Sequence, residues 1–180
     1  DYDTAGSPQN YITTSAKFRD PSAWIHICIS CNMGNTLADR IKIYINGTRV
    51  TDFSVETQPS SSNNTTNGIG WNKASLRNVF INGWIHTWTD YNESYLSDFY
   101  NIDGQELTPS SFTKTDDNGQ LVPDTYSGTF GNMGFHLPFE ETAGNDVFVD
   151  SSTTGTTHAV TTNGEAFHTR EESKIGGSSI

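Results

Sequence analysis

The chain has 180 residues, with 10 Lys and Arg against 21 Asp and Glu, for a formal net charge of −11. Only 17% of its residues are charged and 33% are hydrophobic, so its polarity rests on Thr, Ser, Asn and Gly, a composition suited to short strands and turns rather than helices. The acidic balance argues against a nucleic-acid backbone or an anionic membrane as main partner, and no apolar run approaches the roughly 20 residues that span a bilayer.

Asp1-Tyr2-Asp3 shows neither a positive n-region nor an apolar h-region, so no signal peptide is expected. The first predicted strand covers residues 24–31, with Pro21 just ahead of it, where a missing N–H is tolerated. It holds both cysteines, Cys28 and Cys31. On a strand, positions three apart face opposite ways, so a disulfide between them would be strained and the pair reads as two small buried side chains. His26 on the same strand reads as a hydrogen-bonded structural histidine. Residues 32–38 form a loop.

Residues 40–45 then alternate, with Ile41, Ile43 and Ile45 on one face, and residues 48–53 resume the alternation after Asn46-Gly47. Asn-Gly between two such runs predicts a hairpin with a type I′ turn. Residues 56–75 are polar and read as a long loop. Residues 79–88 and 95–102 are two further predicted strands, the second ended by Asp103-Gly104. Pro109 to Phe112 suits a short helical turn, residues 115–125 are turn-rich, and residues 134–139 make another short strand. From Ser151 onward the chain suits short edge strands or an extended segment. Residues 1–100 carry 7 basic and 9 acidic groups and residues 101–180 carry 3 and 12, so the net charge falls from −2 to −9 and suggests two parts. Short strands at regular spacing with turn signals indicate an all-β antiparallel sandwich.

Several segments resemble the laminin-G-like, or concanavalin A-like, jelly-roll proteins of tailed phages. They are Phe18-Arg19-Asp20-Pro21-Ser22-Ala23-Trp24-Ile25-His26-Ile27, Asp39-Arg40-Ile41-Lys42-Ile43-Tyr44-Ile45-Asn46-Gly47, Tyr95-Leu96-Ser97-Asp98-Phe99-Tyr100-Asn101 with the following residues to Phe112, and Tyr126-Ser127-Gly128-Thr129-Phe130-Gly131-Asn132-Met133-Gly134-Phe135. The run from Ile102 to Phe112 is the most characteristic, and the resemblance covers residues 10–140. The chain departs from the family pattern at Trp88-Thr89, Ser94 and Pro138. The resemblance implies an antiparallel jelly roll, incomplete here: residues 1–130 would be the C-terminal part of one such domain with its following linker. Residues 131–180 would be the opening strands of a second, or an extended connector. The chain then reads either as an excerpt of a longer polypeptide, which we favour, or as two halves that pair as a permuted sandwich. It also implies a virion structural protein of the fibre, tail or capsid surface, located on the virion surface. Its expected partners are other virion proteins, copies of itself and a host-surface glycan.

Jelly-roll glycosidases need two carboxylates across one sugar, and the candidates Asp98, Asp103 and Glu106 lack that spacing, so no enzyme is expected. The five histidines form no His-Glu-x-x-His, and neither a Gly-x-Ser-x-Gly elbow nor a phosphate loop is present. Asp116, Asp117 and Asn118 resemble a calcium loop in composition only; a turn is favoured, with calcium as the lesser reading and no other cofactor expected. The binding candidates are Trp71, Trp88 and Tyr91, whose flat rings can stack on sugar C–H faces, with Asn72, Asp90 and Asn92 beside them. Trp84 reads rather as sheet filling.

Overall fold

The computed structural model describes residues 11–20, 22–59, 94–140, 147–162 and 169. The protein is all-β. Among these residues every strand pairing is antiparallel, and the described helical pieces are single 3-10 turns, Leu37–Asp39 and Pro109–Ser111. The chain divides into two compact units that interleave along the sequence: Asp1–Gly70 with Glu106–Ser127, and Trp71–Gln105 with Gly128–Ile180. The strand expected at residues 79–88 and most of the loop expected at 56–75 lie outside the described residues.

In the first unit the Asn46-Gly47 hairpin is present. Strands β3 (Ile41–Ile45) and β4 (Thr48–Arg49) pair as Tyr44↔Arg49 and Ile45↔Thr48. Asn46 and Gly47 have φ of 48° and 80°, the positive values that a type I′ turn requires. The return strand is shorter than the alternation suggested. Val50 N still donates to Ile43 O, but by Asp52 the chain has changed partner, its carbonyl accepting from Ser15 N. Strand β5 (Phe53–Thr57) then pairs with β1 (Tyr11–Thr14), with an irregularity between Thr13 and Thr14. Gln58 ties the end of β5 to the start of β3: its Oε1 accepts from Ile41 N and its Nε2 donates to Ile41 O.

Strand β2 covers Ile27–Cys31, three residues shorter at its start than expected, and pairs with β3 as Ile27↔Ile45, Ile29↔Ile43 and Cys31↔Ile41. It starts late because His26 N donates to the side chain of Asn46 rather than to a strand carbonyl. The faces are the reverse of simple hydrophobic patterning. Cys28 and Ser30 are 8% and 4% exposed, whereas Ile27 and Ile29 are 59% and 45% exposed. The inward row is imperfectly satisfied: Ser30 Oγ and His26 Nδ1 are buried without hydrogen-bond partners, so His26 is not the hydrogen-bonded ring that the sequence suggested at that nitrogen.

The turn-rich stretch at 115–125 is a hairpin. Strands β6 (Phe99–Asn101) and β9 (Phe135–Leu137) belong to the second unit, while β7 (Thr113–Thr115) and β8 (Leu121–Pro123) complete the first. The 3-10 turn Pro109–Ser111 leads into β7, with Thr113 Oγ1 donating to Pro109 O at 2.8 Å.

In the second unit β6 pairs with β9, Tyr100 opposite His136. Both strands are shorter than expected because non-glycine residues in left-handed backbone bound them: Asp98 (φ 60°) precedes β6 and Phe139 (φ 57°) follows β9. The core is Leu137, Phe139 and Phe148, with Leu96, Phe99, Phe135 and Val160 packed against it. Phe99 and Phe135 stack at 5.7 Å, and Phe139 meets Phe148 edge-on at 5.9 Å. A Cβ on Gly134 would lie 1.9 Å from Phe130 O, so only glycine fits there. Residues 151–162 contain no strand.

Gly47 gives a direct test. Its φ is 80°, and a Cβ there would meet Leu121 Cδ2 at 2.8 Å. Gly47→Val should lower stability by about 1–3 kcal/mol through backbone strain and that contact. An unchanged melting temperature would count against the turn.

Candidate functional site

The sequence candidates Trp71, Asn72, Trp88, Asp90, Tyr91 and Asn92 all lie outside the described residues, as does Trp84. The carboxylates considered for catalysis are described, and each is engaged in a structural bond.

Glu106, in the first unit, is the centre of a polar cluster. Its Oε1 accepts from Lys42 Nζ at 2.6 Å and from Asn35 Nδ2 at 3.0 Å, and its Oε2 accepts from Asn32 Nδ2 at 2.7 Å. Asn32 follows β2 and Lys42 lies on β3, so one carboxylate closes the β2–β3 connection. Asn32 Oδ1 accepts from Gly34 N, and Asn35 N donates to Asn32 O, which shapes the loop. The Lys42 ammonium holds the Glu106 carboxyl below its ordinary range, helped by Asn32 and Asn35 and opposed by burial. In turn, the hydrogen bond to Glu106 raises the Lys42 ammonium above its own ordinary value, against its burial. An acid, two amides and an ammonium are the groups that recognise sugar hydroxyls, but here they satisfy one another.

Asp98 and Asp103 are in the second unit. Asp98 Oδ1 lies 2.5 Å from His136 Nε2, with side chains only 9% and 14% exposed. The His136 ring stacks on Tyr100 at 4.1 Å and 7°. Asp103 Oδ2 accepts from Met133 N, and Asp103 N donates to Phe130 O. Asp150 was not among the candidate site residues of the sequence. It is 7% exposed and accepts from the backbone N–H groups of His136, Ser152 and His158. Burial pushes its carboxyl up, but those donors outweigh burial and hold it below the ordinary carboxylate value. It fixes the start of the 151–162 segment on β9. No spacing rule finds Asn32 or Lys42 from Glu106, or Asp150 from His136, because each contact joins distant parts of the chain.

Asp116 Oδ1 accepts from both Asn118 N and Gln120 N, and Gly119 closes the turn at φ 79°. The geometry of Asp116, Asp117 and Asn118 is that of a turn. Among the described residues no group of three or more His, Cys, Asp or Glu side chains is placed to hold a metal ion. Both cysteines are free. Burial pushes the Cys28 thiol up to about 11, and burial followed by the charge of Glu106 raises Cys31, so neither is poised as a thiolate near neutral pH.

Residues 2–94, just over half of the chain, match the family model described as the concanavalin A-like lectin/glucanases superfamily. No curated protein and no solved structure matches the chain.

The Glu106 tether has a signed pH dependence. A carboxyl depressed in the folded state stabilises above its unfolded value, near 4.5, and that contribution is lost as pH falls through the folded value. The raised Lys42 contributes below 10.5 and is lost as pH rises beyond it. Amide protection in residues 32–38, the intrinsic exchange rate relative to the observed rate at the same pH, should therefore fall below about pH 4.5, and Glu106→Gln should show the lowered protection already at neutral pH. Equal exchange in both proteins at neutral pH would contradict the tether.

Proposed function

Because the chain belongs to the concanavalin A-like lectin/glucanases superfamily, we propose that it is a non-enzymatic, lectin-like structural domain of a phage virion, on a fibre, a tail or the capsid surface. The superfamily match carries the lectin-like part of this reading, and it spans every aromatic and amide candidate from Trp71 to Asn92. The virion part rests on the sequence resemblance alone, above all on the run from Ile102 to Phe112. The engagement of Glu106 with Lys42 and of Asp98 with His136 supports the non-enzymatic part, since a glycosidase needs a free acid and a free base or nucleophile flanking one bond.

A second reading makes the domain a carbohydrate-binding adhesin that contacts a host-surface glycan. Lectin membership favours it, with Trp88, Tyr91 and Trp71 as stacking faces and Asp90, Asn92 and Asn72 as hydroxyl partners. Calcium at Asp116, Asp117 and Asn118 is not needed in either reading. Residues 131–180 then begin a second domain or serve as a connector to the next part of the particle.

The two readings separate in one experiment. Wild-type protein and Trp88→Ala are applied to a glycan array and to purified particles lacking the protein. Glycan signal lost in Trp88→Ala supports the adhesin. Particle binding kept in both proteins, with no glycan signal, supports the structural role. Turnover of a polysaccharide by the purified chain would overturn both.

A further inference from the structure

The outer edge of β2 is an unprotected strand edge. The β2–β3 register fixes which backbone groups point outward. Asn46 N donates to His26 O, and Asn32 N donates to Arg40 O. These bonds mark 26/46 and 32/40 as hydrogen-bonded pairs, and the alternation of an antiparallel ladder makes Cys28/Tyr44 and Ser30/Lys42 the pairs between them. The N–H and C=O groups of Ile27, Ile29 and Cys31 therefore point away from β3. The sheet order is β2-β3-β4, with β2 at its edge, and no strand bonds that edge among the described residues.

The devices that usually guard such an edge are missing here. β2 is five residues of Ile, Cys, Ile, Ser and Cys, paired with β3 without a register shift. From Pro21 to Ala38 the chain has no Asp, Glu, Lys or Arg, although its net charge is −11. The other edges of the first unit are guarded. β5 carries Glu56, β1 has its irregularity at Thr13/Thr14, β4 is two residues with Arg49 paired to Asp39, β7 carries Lys114, and β8 ends in Pro123. Among the described residues the two most exposed isoleucines, Ile27 and Ile29, stand on the unguarded strand.

We propose that β2 pairs antiparallel with β2 of a second copy of this chain, about a two-fold axis through Ile29. In that register Ile29 faces Ile29 of the other copy and Ile27 faces its Cys31. These are the residues whose outward groups are free, so three pairs exchange about six hydrogen bonds and leave none of those groups unpaired. The same register sets Ile29 beside its counterpart and Ile27 beside Cys31 on one face, with no charged side chain on either paired strand. The contact consumes the edge it uses, so it closes as a dimer rather than growing into a fibre. It is independent of whether the domain binds a glycan.

The test is the mass of the protein in solution, measured over a wide concentration range, for wild type and Ile29→Lys. The wild type should pass from monomer to dimer and stop there. Ile29→Lys, at an exposed position, should keep the wild-type circular dichroism and stay monomeric. Ile29→Cys should form a disulfide dimer on mild oxidation, while Ile43→Cys, on the inner strand β3, should not. A wild type that is monomeric throughout, open-ended growth, or a dimer that survives Ile29→Lys would overturn the proposal. Equal cross-linking at positions 29 and 43 would do the same.

Discussion

The pairing of β2 with β3 is the constraint on which the first unit depends. It joins residues that flank a loop rather than a tight turn, so its register is set from both ends by side chains. At one end Asn46 supplies an Oδ1 to His26 N while its own N–H bonds His26 O. At the other end Glu106 gathers Asn32, Asn35 and Lys42. A slip of one residue would exchange the two faces of β2. The observed register turns Cys28 and Ser30 inward and leaves the isoleucines out, which leaves Ser30 Oγ and His26 Nδ1 buried without partners. Unpaired buried polar atoms are costly, and the specific bonds at both ends hold a register that hydrophobic burial alone would not select.

Carboxylates with several donors recur in the second unit. With 33% hydrophobic residues, the chain has little apolar material for a large core, and its described core in that unit is a small aromatic group around Phe139. Asp150 organises its loop through three backbone N–H groups, and Asp98 holds His136 against Tyr100. Such bonds give direction and register that dispersion contacts do not, and hydrogen bonds to charged groups are about twice as strong as neutral ones. The positive φ of Asp98 is sustained by the bond its side chain makes.

Local features of this fold were legible in the sequence because local chemistry decides them. Asn46-Gly47 has few alternatives to a type I′ turn, Pro109 sets up its helical turn, and Asp103-Gly104 ends a strand with Gly104 at φ 78°. The all-β class followed from composition and spacing. Partner choice was not legible. The alternation of residues 48–53 runs straight through the point where the chain leaves β3 for β1, because both partners accept the same period-two pattern. The β7–β8 hairpin was hidden by its own turn residues, and its strands are only three residues each. The Glu106 and Asp150 clusters draw on residues far apart in sequence, and a single chain carries no signal for such convergence. The aromatic candidates for glycan contact lie outside the described residues and rest on residue chemistry and the superfamily match.

The register of β2 is tested most directly by cross-strand Hα–Hα contacts in a nuclear Overhauser spectrum of the labelled protein. In an antiparallel ladder the pairs that exchange no hydrogen bonds bring their Cα atoms to about 4.5 Å. Close Hα contacts are expected for Ile27 with Ile45, Ile29 with Ile43 and Cys31 with Ile41. Contacts of Cys28 with Ile43 or of Ser30 with Ile41, in their place, would show a shifted strand and contradict both the inverted face and the outward edge.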